Sequence, residues 1–207
     1  MTANTSSIGR PRAFDVDKAL QKALEVFWEK GYEGTSLPDL TEAMGINKPS
    51  LYAAFGNKEQ LFLKAIELYE NRPCGFFQPA LQQPTAYLVA EHLLFGAAAA
   101  SADNSHPKGC LMVQGALTCS DSANSIKQLL IEKRRLGELQ IQQRLEKAQL
   151  DGDLVAGADC AALASFLMVQ LHGMSIQAAS GVTAEQLKQA AAIALQAFAA
   201  SVVVKTA

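Results

Sequence analysis

Between positions 35 and 58 the chain gathers compact hydrogen-bonding side chains at a regular spacing: Thr35-Ser36, Asn47-Lys48-Pro49-Ser50, Tyr52 and Lys58. Each group stands just ahead of, or within, a short apolar run of helical period. Helix starts leave backbone amides without an intrahelical acceptor and carry the positive end of the helix dipole, so they attract phosphate. Hydroxyls, a carboxamide, an ammonium and a phenol placed there can grip a sugar-phosphate backbone, and those one turn later can reach base edges. Arg10 and Arg12, with no acid before Asp15, form an arm able to follow the backbone or enter a minor groove. The chemistry indicated is non-covalent recognition of nucleic acid. No G-x-G-x-x-G, P-loop, G-x-S-x-G or His-x-x-x-His pattern is present, so no enzyme, cofactor or metal site is indicated. Cys74, Cys110, Cys119 and Cys160 contain no C-x-x-C, which argues against zinc and a disulfide framework alike.

These residues need a scaffold, and the pattern supplies an all-α one. Val16, Leu20, Ala23, Leu24 and Phe27 mark one apolar face, with Asp15 as the N-cap and Gly31 as the stop. Ser36 and Asp39 have capping-box spacing ahead of Leu37, Leu40 and Met44, and Gly45 ends that run. Asn47 caps a third helix carrying Leu51 and Phe55, and Asn57 with Gln60 opens a fourth that reaches about residue 71. Helices this short hold only by packing together. The reading is a three-helix helix-turn-helix domain over 1–57, a connecting helix over 58–71, and a larger helical domain over 58–207 with helices near 84–101, 109–119, 122–150, 158–180 and 184–203. The last two carry apolar positions on more than one side, which fits an internal core or a subunit interface.

Bulk charge alone argues against a nucleic-acid partner: 18 basic against 20 acidic residues give a net charge of −2 over 207 residues. Residues 1–72 hold nine basic and ten acidic groups, so any positive face is local. No run is expected to meet the ~18–20 apolar residues needed to cross a bilayer, and the start of the chain has no secretory pattern, which points to the cytoplasm.

The full string FDVDKALQKALEVFWEKGYEGTSLPDLTEAMGINKPSLYAAFGNKEQLF resembles the amino-terminal domain of the tetracycline-repressor (TetR/AcrR) family. Landmarks are Phe27, Gly31-Tyr32, Gly34-Thr35-Ser36, Ala43 with Gly45, Leu51-Tyr52, Phe55, and Lys58-Glu59 with Leu61, and the resemblance covers about residues 10–66. It implies a homodimer that binds a palindromic double-stranded operator and is released by a small-molecule effector of the larger domain. On matching positions it implies phosphate contacts from Thr35, Ser36, Tyr52 and Lys58. Base reading then falls to Asn47, Lys48 and Ser50, with Ala53 against a thymine methyl. Lys48 suits guanine, Asn47 suits adenine or serves only as a cap, and Pro49 fixes the turn.

The larger domain offers Phe95, Cys110, Met112, Phe166, Met168, His172 and Met174 as candidate effector contacts, each equally readable as core. Lys108-Gly109-Cys110-Leu111-Met112 resembles a G-C-L pattern of one branch of the family. A thiol at a helix start beside Lys108 is an activated one, so oxidant or electrophile sensing through Cys110 stands as an alternative to a small buried hydrophobe. Lys133-Arg134-Arg135 reads as a solvated helix face. A helical adaptor without DNA binding is the remaining class.

Overall fold

The computed structural model describes residues 14–72, 75–117 and 123–203, with side chains 115–117 left aside. Arg10, Arg12, Cys74 and Cys119 lie outside the described residues. The described chain forms ten helices: α1 (Val16–Gly34), α2 (Leu37–Met44), α3 (Lys48–Phe55), α4 (Lys58–Glu70), α5 (Phe77–Leu81), α6 (Ala86–Ala100), α7 (Leu111–Leu117), α8 (Asn124–Leu150), α9 (Cys160–Ala179) and α10 (Ala184–Ala199).

The caps fall where side-chain chemistry puts them. Asp15 accepts from the amides of Asp17 and Lys18, and Ser36/Asp39, Asn57/Gln60 and Thr183/Gln186 form reciprocal capping boxes. Inside α1, Gly31 leaves the helical region at φ 70°, and Gly45 closes α2 at φ 65°. Both angles are ones that residues with a Cβ rarely adopt. The five-residue α5 was not expected, because it sits among prolines and has no side-chain cap. Packing holds it: Ala80 and Leu81 are buried and Phe76 and Phe77 lie against the same core.

Two apolar cores organise the molecule. The first joins α1 to α4 through Leu24, Phe27, Leu40, Leu51, Leu61 and Phe62, and also takes in Leu111 of α7 with Ile126 and Leu130 of α8. The second gathers α5, α6, α9 and α10 with Ile141 and Leu145 of α8. A single long helix, α8, therefore serves both cores. Near the first of them Lys133 meets Glu70 of α4 at 2.7 Å and Arg134 donates to the Met112 carbonyl at 2.6 Å. Lys133 and Arg134 are thus structural ties between helices, while Arg135 is exposed.

α9 corrects the expectation about membrane-length runs. It has 20 residues with mean hydropathy 1.2, long and apolar enough to cross a bilayer. Cys160, Ala164, Leu167, Met168, Leu171, Met174 and Ala178 nevertheless face the second core. On α10 the buried stripe runs through Leu187, Ala191, Ala194, Leu195 and Phe198. Ala190, next to buried Ala191, is exposed. Buried Asp153 accepts from the Ala86 amide at the start of α6, which joins the end of α8 to that helix.

Candidate nucleic-acid interface

α2 and α3 are short because their ends are fixed: Pro38 and Pro49 stand in their first turns, and Gly45 and Gly56 follow their last residues. Leu40, Met44, Leu51 and Phe55 turn inward. That leaves Asn47, Lys48, Pro49, Tyr52 and Ala53 exposed, with Ser50 half-buried beside them. Asn47 Oδ1 accepts from the Ser50 amide at 2.9 Å. Its oxygen is spent on the cap, so its NH2 is the group it offers outward. Tyr52 is 44 % exposed although aromatic, and the Lys48 ammonium lies 5.9 Å from its ring. An exposed phenol, an ammonium and a helix start on one face form a surface suited to a polyanion.

The start of α2 differs from expectation. Thr35 is only 1 % exposed, and its hydroxyl donates to the Gly31 carbonyl at 2.6 Å, so it cannot reach a phosphate. The cause is the kink at Gly31, which leaves that carbonyl in need of a donor. Ser36 is exposed, yet its hydroxyl and its amide both donate to Asp39, at 2.6 and 2.8 Å. Asp39 also pairs with Lys30 at 2.6 Å. The Lys30 hydrogen bond, followed by those from Ser36, holds the Asp39 carboxyl well below the usual carboxylate range. An anion of the protein's own thus occupies the start of α2, and the open donors concentrate on α3. Lys58 stands over the Tyr32 ring at 4.4 Å, and burial lowers its pKa. Its attraction to the ring accompanies a location at the edge of the same surface.

Residues 19–65 match the family described as bacterial regulatory proteins, tetR family. The HTH-type transcriptional repressor ComR of Escherichia coli K12 is 37 % identical over 192 residues, covering 92 % of this chain and 91 % of that protein. The chain belongs to the TetR family. Another similar TetR family regulator, a cysteine-substituted form of CifR, was solved in complex with 26-bp double-strand operator DNA. It is 41 % identical with a TM-score of 0.87, over 91 % of this chain and 99 % of that one. The repressor BdcR of Escherichia coli K12 is 29 % identical over 192 residues. As a TetR family protein the chain is a helix-turn-helix transcriptional repressor, and its relatives are regulators, not enzymes.

The candidate effector residues do not come together around one cavity. Phe95, Phe166, Met168 and Met174 belong to the second core, whereas Met112 packs against the first. Two open clefts, of about 380 and 540 Å³, are lined by other residues: Glu29, Pro107, Lys108, Gln114 and Ala179 in one, and a stretch along α1, α3 and α4 in the other. His172 is half-buried on α9, and desolvation with the nearby Arg134 charge lowers its pKa. Cys110 lies at the junction of the two cores, where the Tyr69 hydroxyl donates to its Sγ at 3.3 Å. Burial first, then the Cys110 charge and hydrogen bond, push the Tyr69 hydroxyl well above its ordinary pKa, so it remains a donor. The expected support from Lys108 is absent, because its ammonium donates to the Ser101 and Asp103 carbonyls at 2.6 and 2.9 Å. Sequence reading also missed Trp28 and Arg72 at this junction, where the Arg72 guanidinium lies 4.2 Å from the indole and 4.1 Å from the Tyr69 ring and the two rings meet edge-on. Only their residue types, an arginine and the sole tryptophan, hinted at it.

Proposed function

We propose that the chain is a ligand-responsive repressor that binds a palindromic operator as a homodimer and is released by a small-molecule effector. The observation that carries this reading is the exposed α3 face, with Lys48, Ser50, Tyr52 and Ala53 presented as a recognition surface on a rigid helix-turn-helix core. The dimer uses α9 and α10. Val169, Ile176 and Ile193 are 62, 42 and 69 % exposed, and Ala162, Gly173, Ala190 and Ala197 continue their stripes. No charged residue falls between 160 and 184. Such a face asks for a partner. Two-fold symmetry then places the two α3 helices in successive major grooves, about 34 Å apart. Effector contacts come from Phe95, Phe166, Met168, His172 and Met174 around the second core. An effector acts by preferring the state in which that spacing is wrong, with a coupling of about 1–3 kcal/mol. Few cationic contacts per subunit imply a modest salt slope, about −0.9 per phosphate neutralised. The setting is the cytoplasm.

Selection of duplexes from a random-sequence library by the purified chain tests this. The expected result is a two-fold symmetric motif bound by two chains; a helical adaptor enriches none. A second reading, in which Cys110 senses oxidants or electrophiles, is favoured by the Tyr69 hydroxyl that donates to its sulfur at 3.3 Å. Under that reading Cys110→Ser abolishes release by N-ethylmaleimide or hydrogen peroxide. Release that persists in this variant assigns sensing to non-covalent binding.

A further inference from the structure

The gap between α6, α8 and α9 is filled by side chains of α5, a helix with little support of its own. It has five residues, contains Pro79 and lacks a side-chain cap. Phe76 and Phe77 lie against the second core only half-buried, and a glycine faces each of them. A Cβ at position 96, within α6, would stand 2.6 Å from the Phe76 Cβ and 2.8 Å from its Cγ. A Cβ at position 137, within α8, would meet the tip of the Phe77 ring at 3.6 Å and the Met168 methyl of α9 at 3.7 Å. Glycine weakens a helix interior relative to alanine, and at 96 it makes room for α5. Behind the two rings, Arg144 of α8 donates to the carbonyls of Leu81, Gln83 and Pro84 at 3.2, 2.6 and 3.1 Å. The segment is thus anchored past its end, while the rings themselves are held by apolar contact. One face of α9 continues from this slot: Met168, His172 and Ser175 recur at helical spacing over about 10 Å. Burial, with the charge of Arg134, lowers the His172 pKa, so its imidazole is neutral near pH 7, and Glu138 brings the opposite charge to the same place. The Ser175 hydroxyl is buried without a hydrogen-bond partner among the described residues. Such an orphan costs stability that an alanine would not.

We propose that Phe76 and Phe77 plug the ring subsite of a small-molecule site between α6, α8 and α9, and that its ligand is an uncharged compound with one aromatic ring and a hydrogen-bonding head. This deepens, and rests on, the reading of the chain as a ligand-responsive repressor. The ring takes the place of Phe77 against Gly137 and Met168, whose thioether suits an aromatic edge. The head lies along α9, where His172 and Ser175 supply groups able to donate or accept. A charged head finds as much repulsion as attraction beside Arg134 and Glu138. The slot is closed in the free chain because its own rings fill it, so the open clefts lie elsewhere. Binding withdraws α5 about the Arg144 anchor and exchanges one aromatic contact for another, which leaves the core filled.

The test uses the full-length chain and 4-ethylphenol, with ethylbenzene as the ring without a head. Calorimetric titration should give Phe77→Ala an affinity for 4-ethylphenol about 10- to 100-fold above the wild type, the range set by burial of one such side chain. Gly96→Ala, which removes nothing from α5 but drives a Cβ into Phe76, should also bind more tightly than the wild type. Adding Ser175→Ala to Phe77→Ala should weaken 4-ethylphenol about 2- to 10-fold, the value of one hydrogen bond, and leave ethylbenzene unchanged. Ser175→Ala alone should raise the thermal midpoint of the ligand-free chain. Saturating 4-ethylphenol should speed amide exchange over residues 76–82 of the wild type. Circular dichroism checks that the variants keep their helices. A Phe77→Ala chain that binds neither compound, or a Gly96→Ala chain that binds no better than the wild type, overturns the proposal. So does a Ser175 substitution that leaves 4-ethylphenol binding unchanged or lowers the midpoint, or wild-type exchange unmoved by 4-ethylphenol. Binding as expected with the affinity for a selected duplex unchanged overturns the ligand-responsive reading and leaves the site standing, whereas failure of the site leaves that reading to other effectors.

Discussion

Replacing Thr35 by Val separates a structural hydroxyl from a DNA-contacting one. The two side chains have nearly the same shape, so the substitution removes only the hydroxyl's hydrogen bonds at an almost wholly buried site: the 2.6 Å one to Gly31 O and a longer 3.5 Å one to Val26 O. Gly31 stands at φ 70°, out of the helical ladder, and the Thr35 amide goes to the Tyr32 carbonyl at 3.4 Å. The Thr35 hydroxyl is therefore the donor that serves this kink. Leaving a buried acceptor unpaired costs about 1–3 kcal/mol. At roughly 2–4 °C per kcal/mol for a chain of this size, the thermal midpoint should fall by about 2–12 °C. Operator affinity, measured by fluorescence anisotropy at a temperature where both proteins are folded, should stay within about twofold. A variant with the wild-type midpoint and an operator affinity reduced tenfold would show that the hydroxyl turns outward to phosphate, and the assignment made from its burial would fail.

Three further outcomes are expected. Ile193→Asp places a charge on the exposed stripe of α10 and should shift the chain from dimer to monomer in sedimentation velocity, with loss of tight operator binding. His172 has a folded pKa below its ordinary 6.5 because burial disfavours the imidazolium. The unfolded chain therefore takes up the proton first, and stability falls as pH drops through about 6.5 until the folded pKa is reached. Melting curves between pH 7 and 5 should show this decline in the wild type and a smaller one in His172→Gln. Asp153→Ala removes a buried acceptor from the Ala86 amide at the start of α6, and calorimetry should find a loss of about 1–2 kcal/mol.

Helix positions around the first core were legible because caps and stops have local chemistry. Asp15, Ser36/Asp39, Asn47 and Asn57/Gln60 act on amides within three residues of themselves, so spacing alone reveals them. Side-chain roles were less legible where one residue can serve two partners. Thr35 and Ser36 have the right type for phosphate, but the kink at Gly31, four residues back, claims one and Asp39 claims the other. α5 was hidden because tertiary burial of Phe76, Phe77 and Leu81 sustains a helix that its prolines and missing cap argue against. The candidate effector residues were hardest, since a Phe or Met at helical spacing carries no mark of which core it faces. Met112 and Met168, alike in sequence terms, fall into different cores. The Trp28 junction depends on contacts spanning 81 residues and has no local pattern at all.

The exposed face of α3 is the surface expected to read DNA. Parallel selections from one random-sequence library, made with the wild type and with Lys48→Ala, address this directly. The expected wild-type result is a two-fold symmetric motif. In Lys48→Ala the preference should relax at one base pair in each half-site, at a cost of about 1–3 kcal/mol there, while the rest of the motif persists. Recovery of an identical motif with undiminished affinity by Lys48→Ala, and again by Ser50→Ala and Tyr52→Ala, would contradict the assignment of α3 as the recognition helix.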